Sequence, residues 1–191
     1  EMCIRDSVKS LRDGGIIIYP TDTLYAIGCD ALDNRAIERI CRIKGINPQK
    51  TNLSVICSDI SQAAEYARID NRAFRYLKEY LPGPYTFILP AATTLPKVFK
   101  GRKTVGIRIP DNPIPVRLAE RLGNPLLTTS VPVEDDSVDA VTAESIGLAY
   151  SDVADIIIDG GDGGVTPSAV IDLTDSASPV VVRRGLGDFE E

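Results

Sequence analysis

The sequence predicts an α/β fold, a twisted open mixed sheet with flanking helices. Short β-branched runs alternate with stretches of helical periodicity. The last strand-like runs follow one another directly, which a strictly alternating fold would not do. Neither a G-x-G-x-x-G after the first strand nor a G-x-x-x-x-G-K loop is present, so a regular doubly wound dinucleotide-binding sheet does not fit. The 191 residues suit one domain, residues 1–191, with enough chain to bury a core.

Val8 to Asp13 reads as the end of a helix stopped by Gly14-Gly15. Residues 16–20, IIIYP, form a short strand halted by Pro20, and TDTLYAIGCD follows as a loop. Asn34 caps a helix from Arg35 to Lys44, whose apolar face is Ile37, Ile40 and Cys41. LSVIC (53–57) is a buried strand. Ser58 or Asp59 opens a short helix, and Asp70 to Leu81 is a longer one ended by Pro82-Gly83-Pro84. YTFIL (85–89) and TVGIRIP (104–110) are strands, the second alternating as if half-buried. Pro113 to Leu122 is a helix ended by Gly123, and PLLTTS (125–130) a strand. Glu144 to Tyr150 is helical. ADIIID (154–159), SAVIDL (168–173) and PVVVRR (179–184) complete the strands.

Composition narrows the chemistry. There is no histidine, which removes Ser-His-Asp and Cys-His catalysis and the common His-ligated zinc sites. The cysteines, Cys3, Cys29, Cys41 and Cys57, make no C-x-x-C pair. No apolar run of about 18 residues occurs and the start shows no signal-peptide core, so reduced thiols, a cytoplasmic location and no membrane contact are expected. Net charge is −6, against a generic nucleic-acid coat. Charge is nevertheless segregated: residues 35–121 hold 16 Lys/Arg and 7 Asp/Glu, whereas 122–182 hold 11 Asp/Glu and no Lys/Arg. Ala91 to Pro110 carries Lys97, Lys100, Arg102, Lys103 and Arg108 without an acid. Solvated faces explain many of these charges; an anionic ligand against the middle segment would explain the rest.

The candidate site residues lie at strand ends, where ligands sit in open α/β sheets. Thr21, Asp22 and Thr23 follow the first strand, either as an Asx-type turn or as hydroxyls for a polar ligand. Lys44 stands at a helix C-terminus, where the helix dipole alone favours it, before a turn that ends at Lys50. Arg108, mid-strand and on the same face as Gly106, is costly unless it is paired or opens into a cleft. Thr128, Thr129 and Ser130 end another strand. Ser168 follows the glycine-rich DGGDGG turn (159–164), which has no calcium-loop spacing, and Arg183 sits in VVVRRG. Hydroxyls and cations without histidine describe a cleft that positions an anion.

YPTDTLYAIGCD, Lys44-Gly45, LPGPYTFIL (81–89), VGIRIP (105–110), TTS (128–130), PSAVIDL (167–173) and VVRRG (181–185) resemble, in order, the blocks of the YrdC/YciO family, which includes threonylcarbamoyl-AMP synthase. No block is specific alone; seven in order are. The resemblance implies a mixed sheet around a large concave cavity. It also implies a nucleotidyltransferase that makes threonylcarbamoyl-AMP from L-threonine, bicarbonate and ATP for tRNA modification, usually with magnesium, as a monomer or weak dimer. Carried over, Thr21, Arg108 and Ser168 would bind threonine, with Ser168 at its junction with the phosphates. Lys44, Ser130 and Arg183 would bind the nucleotide. The synthases read K-x-R-P and S-x-N where this chain has Lys44-Gly45-Ile46 and Ser130-Val131-Pro132, and Asn52-Leu53-Ser54 replaces an expected Pro-Leu. These departures resemble the YciO branch. Lys50 is the cation that could stand in for the missing arginine. The alternative is a YciO-type protein that binds nucleotide or double-stranded RNA without synthesis; a hydrolase or transferase of another carbamoyl-type anion also stays open. Residues 1–7 do not resemble the family's leading strand and read as a non-native or miscalled start.

Overall fold

The computed structural model describes residues 2–51, 53–92, 95, 102–132 and 141–190. In chain order these form α1 (Met2–Arg12), β1 (Ile17–Tyr19), β2 (Ala26–Asp30), α2 (Asn34–Lys44), β3 (Ser54–Ile56), α3 (Ile60–Tyr66), α4 (Asn71–Tyr80), β4 (Tyr85–Pro90), β5 (Thr104–Arg108), α5 (Pro113–Leu122), β6 (Leu126–Ser130), α6 (Ala143–Tyr150), β7 (Ile156–Ile157), β8 (Ala169–Asp172) and β9 (Val180–Arg183). The strands make one nine-stranded sheet in the order β7-β1-β2-β6-β3-β5-β4-β8-β9. The β1–β7, β3–β5 and β4–β8 pairs are parallel and the others antiparallel, the mixed sheet expected from the sequence.

Two expectations need correction. Residues 26–30, assigned to a loop, are strand β2, which pairs with β1 and β6. Only Ile27 of its five residues is β-branched, and Gly28 weakens intrinsic strand preference. The strand forms because neighbours on both sides satisfy its backbone. The cap of α2 is Asp33, whose carboxylate accepts the Ala36 N–H at 3.1 Å, so Asn34 is the first helical residue. Elsewhere the stop signals act as read: Gly45 and Gly123 close α2 and α5 in the left-handed region, at φ 64° and 77°.

The two faces of the sheet have different fates. Alternation sends Ile27, Val55, Ile107, Phe87 and Ile171 to one face, where Ile37 and Ile40 of α2 and Leu77 of α4 complete a large core. The opposite face carries Ile17, Tyr19, Ala26, Ile56 and Leu126, covered by Ile4, Val8 and Leu11 of α1 and Leu118 and Leu122 of α5. Residues 2–7 are the first half of α1, with Ile4 buried in this second core. That cover stops short. Beyond it, the same face presents Thr128, Ser54, Gly106, Thr86 and Arg108 to a cavity. Among the described residues, no helix is long and apolar enough to cross a membrane, and the four cysteines are free thiols.

The C-terminal segment is fastened by Phe189, 5% exposed, whose ring lies 4.9 Å from Tyr80 and 6.3 Å from Phe87. Phe189→Ala should therefore lower unfolding free energy by about 3 kcal/mol in a denaturant titration. A shift within about 0.5 kcal/mol, the usual range of surface substitutions, would show that the segment is not part of the core.

Candidate functional site

Strand β5 sends Val105 and Ile107 into the large core and Gly106 and Arg108 to the other face. Arg108 is thus 8% exposed and its guanidinium must be compensated. Its Nη2 donates to Asp22 Oδ1 at 3.2 Å and to Thr23 Oγ1 at 3.1 Å. Burial draws the Arg108 pKa down, and Asp22 opposes that. The second carboxylate oxygen of Asp22 accepts the Asp111 N–H at 2.9 Å. The Nε of Arg108 is buried without a partner among the described residues. The cleft anticipated for this arginine is present: a cavity of about 310 Å³, at the lower end of small-molecule sites (about 300–1,000 Å³).

Hydroxyls line this cavity, from Thr23, Ser54, Thr86, Thr104, Thr128 and Ser168, beside Ile88 and Val170, together with Arg108 and Arg183 and, among the described residues, no carboxylate. Gly106 keeps the floor open: a β-carbon there would lie 2.4 Å from Ser54 Oγ. Ser168 Oγ shares a hydrogen bond with Thr86 Oγ1 at 2.9 Å. Arg183 donates to the Ser168 carbonyl through Nε at 3.2 Å and Nη2 at 2.7 Å, and from Nη2 to Ser168 Oγ at 3.2 Å. Gly185 permits this approach, because a β-carbon would meet the Pro167 carbonyl oxygen at 2.4 Å.

Four of the expected residues, Arg108, Ser130, Ser168 and Arg183, line the cavity. Thr21 does not line the cavity. Its hydroxyl donates to the Leu24 carbonyl at 2.6 Å and accepts the Thr23 N–H at 3.0 Å, a local turn that presents Thr23 instead. Lys44 is half-buried and donates to the Ser130 carbonyl at 2.7 Å; burial lowers its pKa. Lys50 is exposed and outside the lining, and Ile46 packs on the large core. Of the basic segment 91–110, Lys97 and Lys100 lie outside the described residues, as does Asn52. Arg102 donates to the Thr51 carbonyl, Lys103 is exposed, and Arg108 is the member among the described residues that reaches the cavity.

The glycine-rich stretch is a strap across the loop that follows β1. Gly164 N–H donates to the Thr23 carbonyl at 3.0 Å, Gly163 lies against the Tyr25 ring, and Tyr25 Oη donates to the Gly161 carbonyl at 2.5 Å. Among the described residues no group of three or more carboxylates and thiols converges as a metal site. Among the described residues the cavity wall offers magnesium hydroxyls and no carboxylate, and no step below is routed through a metal. Sequence reasoning did not single out Asp22 as the partner of Arg108, nor Ser54, Thr86 and Thr104 as lining. For Ser54, Thr86 and Thr104 the available signal was period-2 alternation: they share a face with Gly106 and Arg108.

The family model described as Sua5_yciO_yrdC, telomere recombination, matches residues 9–185. The chain is similar to Uncharacterized protein YciO of Escherichia coli K12, at 44% identity over 98% of this chain and 91% of that protein. The crystal structure of E. coli YciO aligns with a TM-score of 0.85 over 97% of this chain and 90% of that chain. A threonylcarbamoyl-AMP synthase of Chromobacterium violaceum is 36% identical over 86% of both chains. The crystal structure of P. abyssi Sua5 complexed with L-threonine aligns with a TM-score of 0.84 at 32% identity, over 95% of this chain and 54% of that one.

Removing one member of a buried pair strands the other. Asp22→Ala should destabilise the protein by about 3–5 kcal/mol, while the double change Asp22→Leu with Arg108→Met should recover most of that loss. Chemical denaturation of the single and double variants checks this; additive losses would mean that the two side chains are not coupled.

Proposed function

Because the chain belongs to the Sua5/YciO/YrdC family, we propose that it is a threonylcarbamoyl-AMP synthase-like nucleotidyltransferase. It takes L-threonine, bicarbonate and ATP in the cytoplasm, as a monomer or weak dimer, and its product serves tRNA threonylcarbamoyladenosine synthesis. The observation that carries this reading is the buried Arg108, incompletely satisfied among the described residues, in a hydroxyl-bearing cavity to which those residues bring no carboxylate. A relative of the same fold is described in complex with L-threonine.

In this reading Arg108 holds the threonine carboxylate, and the Asp22 brace fixes its direction. The threonine amine condenses with bicarbonate, releasing water, to give a carbamate. A carbamate oxygen then attacks the α-phosphorus of ATP, the bond from that phosphorus to the α–β bridging oxygen breaks, and pyrophosphate leaves. The nucleophile is already an anion, so no histidine or other strong base is needed at this step. The cavity contributes orientation and donors. Ser168, Thr86 and Arg183 stand together where the carbamate and nucleotide would meet, and Lys44 reaches the phosphates by leaving the Ser130 carbonyl.

One observation favours the second reading, a YciO-type nucleotide or double-stranded RNA binder without turnover. Ile46, where the resembling synthases carry an arginine, is packed on the core. Loss of a charge-assisted bond there weakens triphosphate binding by about 1.5–3 kcal/mol.

Incubation with ATP, L-threonine, bicarbonate and magnesium should release pyrophosphate, and Arg108→Lys, which loses the planar fork, should cut kcat/KM at least roughly ten-fold. Release no faster than with Arg108→Ala sinks the synthase reading. On the second reading, RNA retention should instead fall steeply between low and moderate salt in a filter-binding titration; salt-independent retention rejects it.

A further inference from the structure

The stretch DGGDGG (159–164) has no part in the function proposed above, yet it is built against the loop that braces Arg108. Tyr25 makes the first attachment. Its phenol donates to the Gly161 carbonyl at 2.5 Å and accepts the Gly160 N–H at 3.2 Å. The direction is fixed, because a carbonyl oxygen can only accept. The single hydrogen of the phenol is thus spent on the strap. Gly164 makes the second attachment, through its N–H to the Thr23 carbonyl at 3.0 Å. Between the two, Gly163 and Val141 exchange both backbone hydrogen bonds, at 2.7 and 3.0 Å. The fit leaves no room for side chains: a β-carbon at Gly160 would lie 2.3 Å from Pro20 Cγ, and one at Gly164 2.7 Å from the Thr23 carbonyl oxygen.

Thr23 is the residue on which these attachments converge. Its N–H is fixed by the Thr21 hydroxyl at 3.0 Å, and its carbonyl by the strap. Its own hydroxyl accepts from Arg108 Nη2 at 3.1 Å. That nitrogen has two hydrogens, and the other goes to Asp22 Oδ1 at 3.2 Å. Asp22 and Thr23 therefore set the direction of the guanidinium jointly. The strap itself is exposed at Gly160, Gly161 and Gly164. Backbone hydrogen bonds in an exposed segment open at low cost, so a single phenol oxygen can decide whether the strap stays down. We propose that Tyr25 is a positioning residue: its phenol latches the glycine strap onto the loop, and the latched strap holds Thr23 where its hydroxyl orients Arg108. That Arg108 in turn holds a threonine carboxylate rests on the function proposed above; the latch does not.

Hydrogen exchange of the full chain, followed by NMR without any ligand, tests the latch. Tyr25→Phe keeps the ring and removes the oxygen. Exchange of the Gly160 and Gly164 amides and of the Arg108 Nε–H should speed up roughly ten-fold, while amides of β3 and β6 keep their rates. Gly164→Ala, which drives a methyl against the Thr23 carbonyl, should free Arg108 from the other attachment. In a Thr23→Val background Tyr25→Phe should add nothing at Arg108, because the hydroxyl through which it acts is gone. Faster strap amides with an unchanged Arg108 Nε–H in both variants reduce the strap to a cover and overturn the proposal. An unchanged Gly164 amide in Tyr25→Phe overturns it too, as does faster exchange throughout the sheet, which makes the phenol merely structural. On the proposed function, Tyr25→Phe should also raise KM for L-threonine more than it lowers kcat. If the wild-type chain shows no turnover, that reading fails and the exchange rates alone judge the latch.

Discussion

The site depends on one buried charge. Arg108 stands in the middle of a strand, under a fold that leaves it almost no solvent, and the energetic demand of that guanidinium organises what surrounds it. Asp22 answers with one carboxylate oxygen and fixes the start of the segment leading into α5 with the other. Thr23 adds a hydroxyl from the same loop, and the glycine strap lies on that loop through the Thr23 carbonyl. The loop after β1, the N-terminal approach to α5 and the glycine strap are thereby tied to one side chain. The pair leaves the arginine Nε buried and without a hydrogen-bond partner among the described residues.

The cavity follows from a mismatch between helix cover and sheet width. Helices α1 and α5 seal the face over Tyr19, Ala26, Ile56 and Leu126, and further along that face glycine, serine and threonine stand among Ile88 and Val170. On the other face, Ile27, Val55, Ile107, Phe87 and Ile171 keep the strands apolar. A sheet nine strands wide with helices over only part of one face must either shed strands or make the bare part polar and concave. Gly106 and Ser54 show the second outcome, since even one added methyl at Gly106 would collide with the serine beside it.

Much of this was legible in the sequence because the punctuation was strong. Gly45, Gly123 and Pro82-Gly83-Pro84 end elements where capping and turn chemistry say they should, and β-branched runs mark most strands. Arg108 announced itself by being a charge in an alternating apolar strand. What was not legible depends on partners distant in sequence. Strand β2 exists because β1 and β6 flank it, and its own residues argue only weakly for a strand. Thr21 and Thr23 are indistinguishable by composition; a turn closed on Leu24 decides which hydroxyl reaches the cavity. The role of Asp22 needed the 86-residue separation to Arg108 to be bridged, and no local rule reports that.

The cations differ in what holds them, and that difference bears on how the two ends of the cavity behave. Arg108 is fixed by a carboxylate, a partner of opposite charge in a dry setting, and surrendering it would leave two uncompensated ions. Arg183 and Lys44 rest on backbone carbonyls, those of Ser168 and Ser130, which are neutral acceptors. Exchanging a neutral acceptor for a phosphate oxygen strengthens a hydrogen bond, whereas exchanging a carboxylate gains little. The Arg108 end is therefore preorganised and the Lys44 and Arg183 end adaptable. Such a cavity would bind a small carboxylate rigidly and accept a larger phosphate-bearing group by local side-chain movement. With Ile46 committed to the core and Lys50 outside the wall, these two adaptable cations are the ones among the described residues placed to neutralise a polyphosphate.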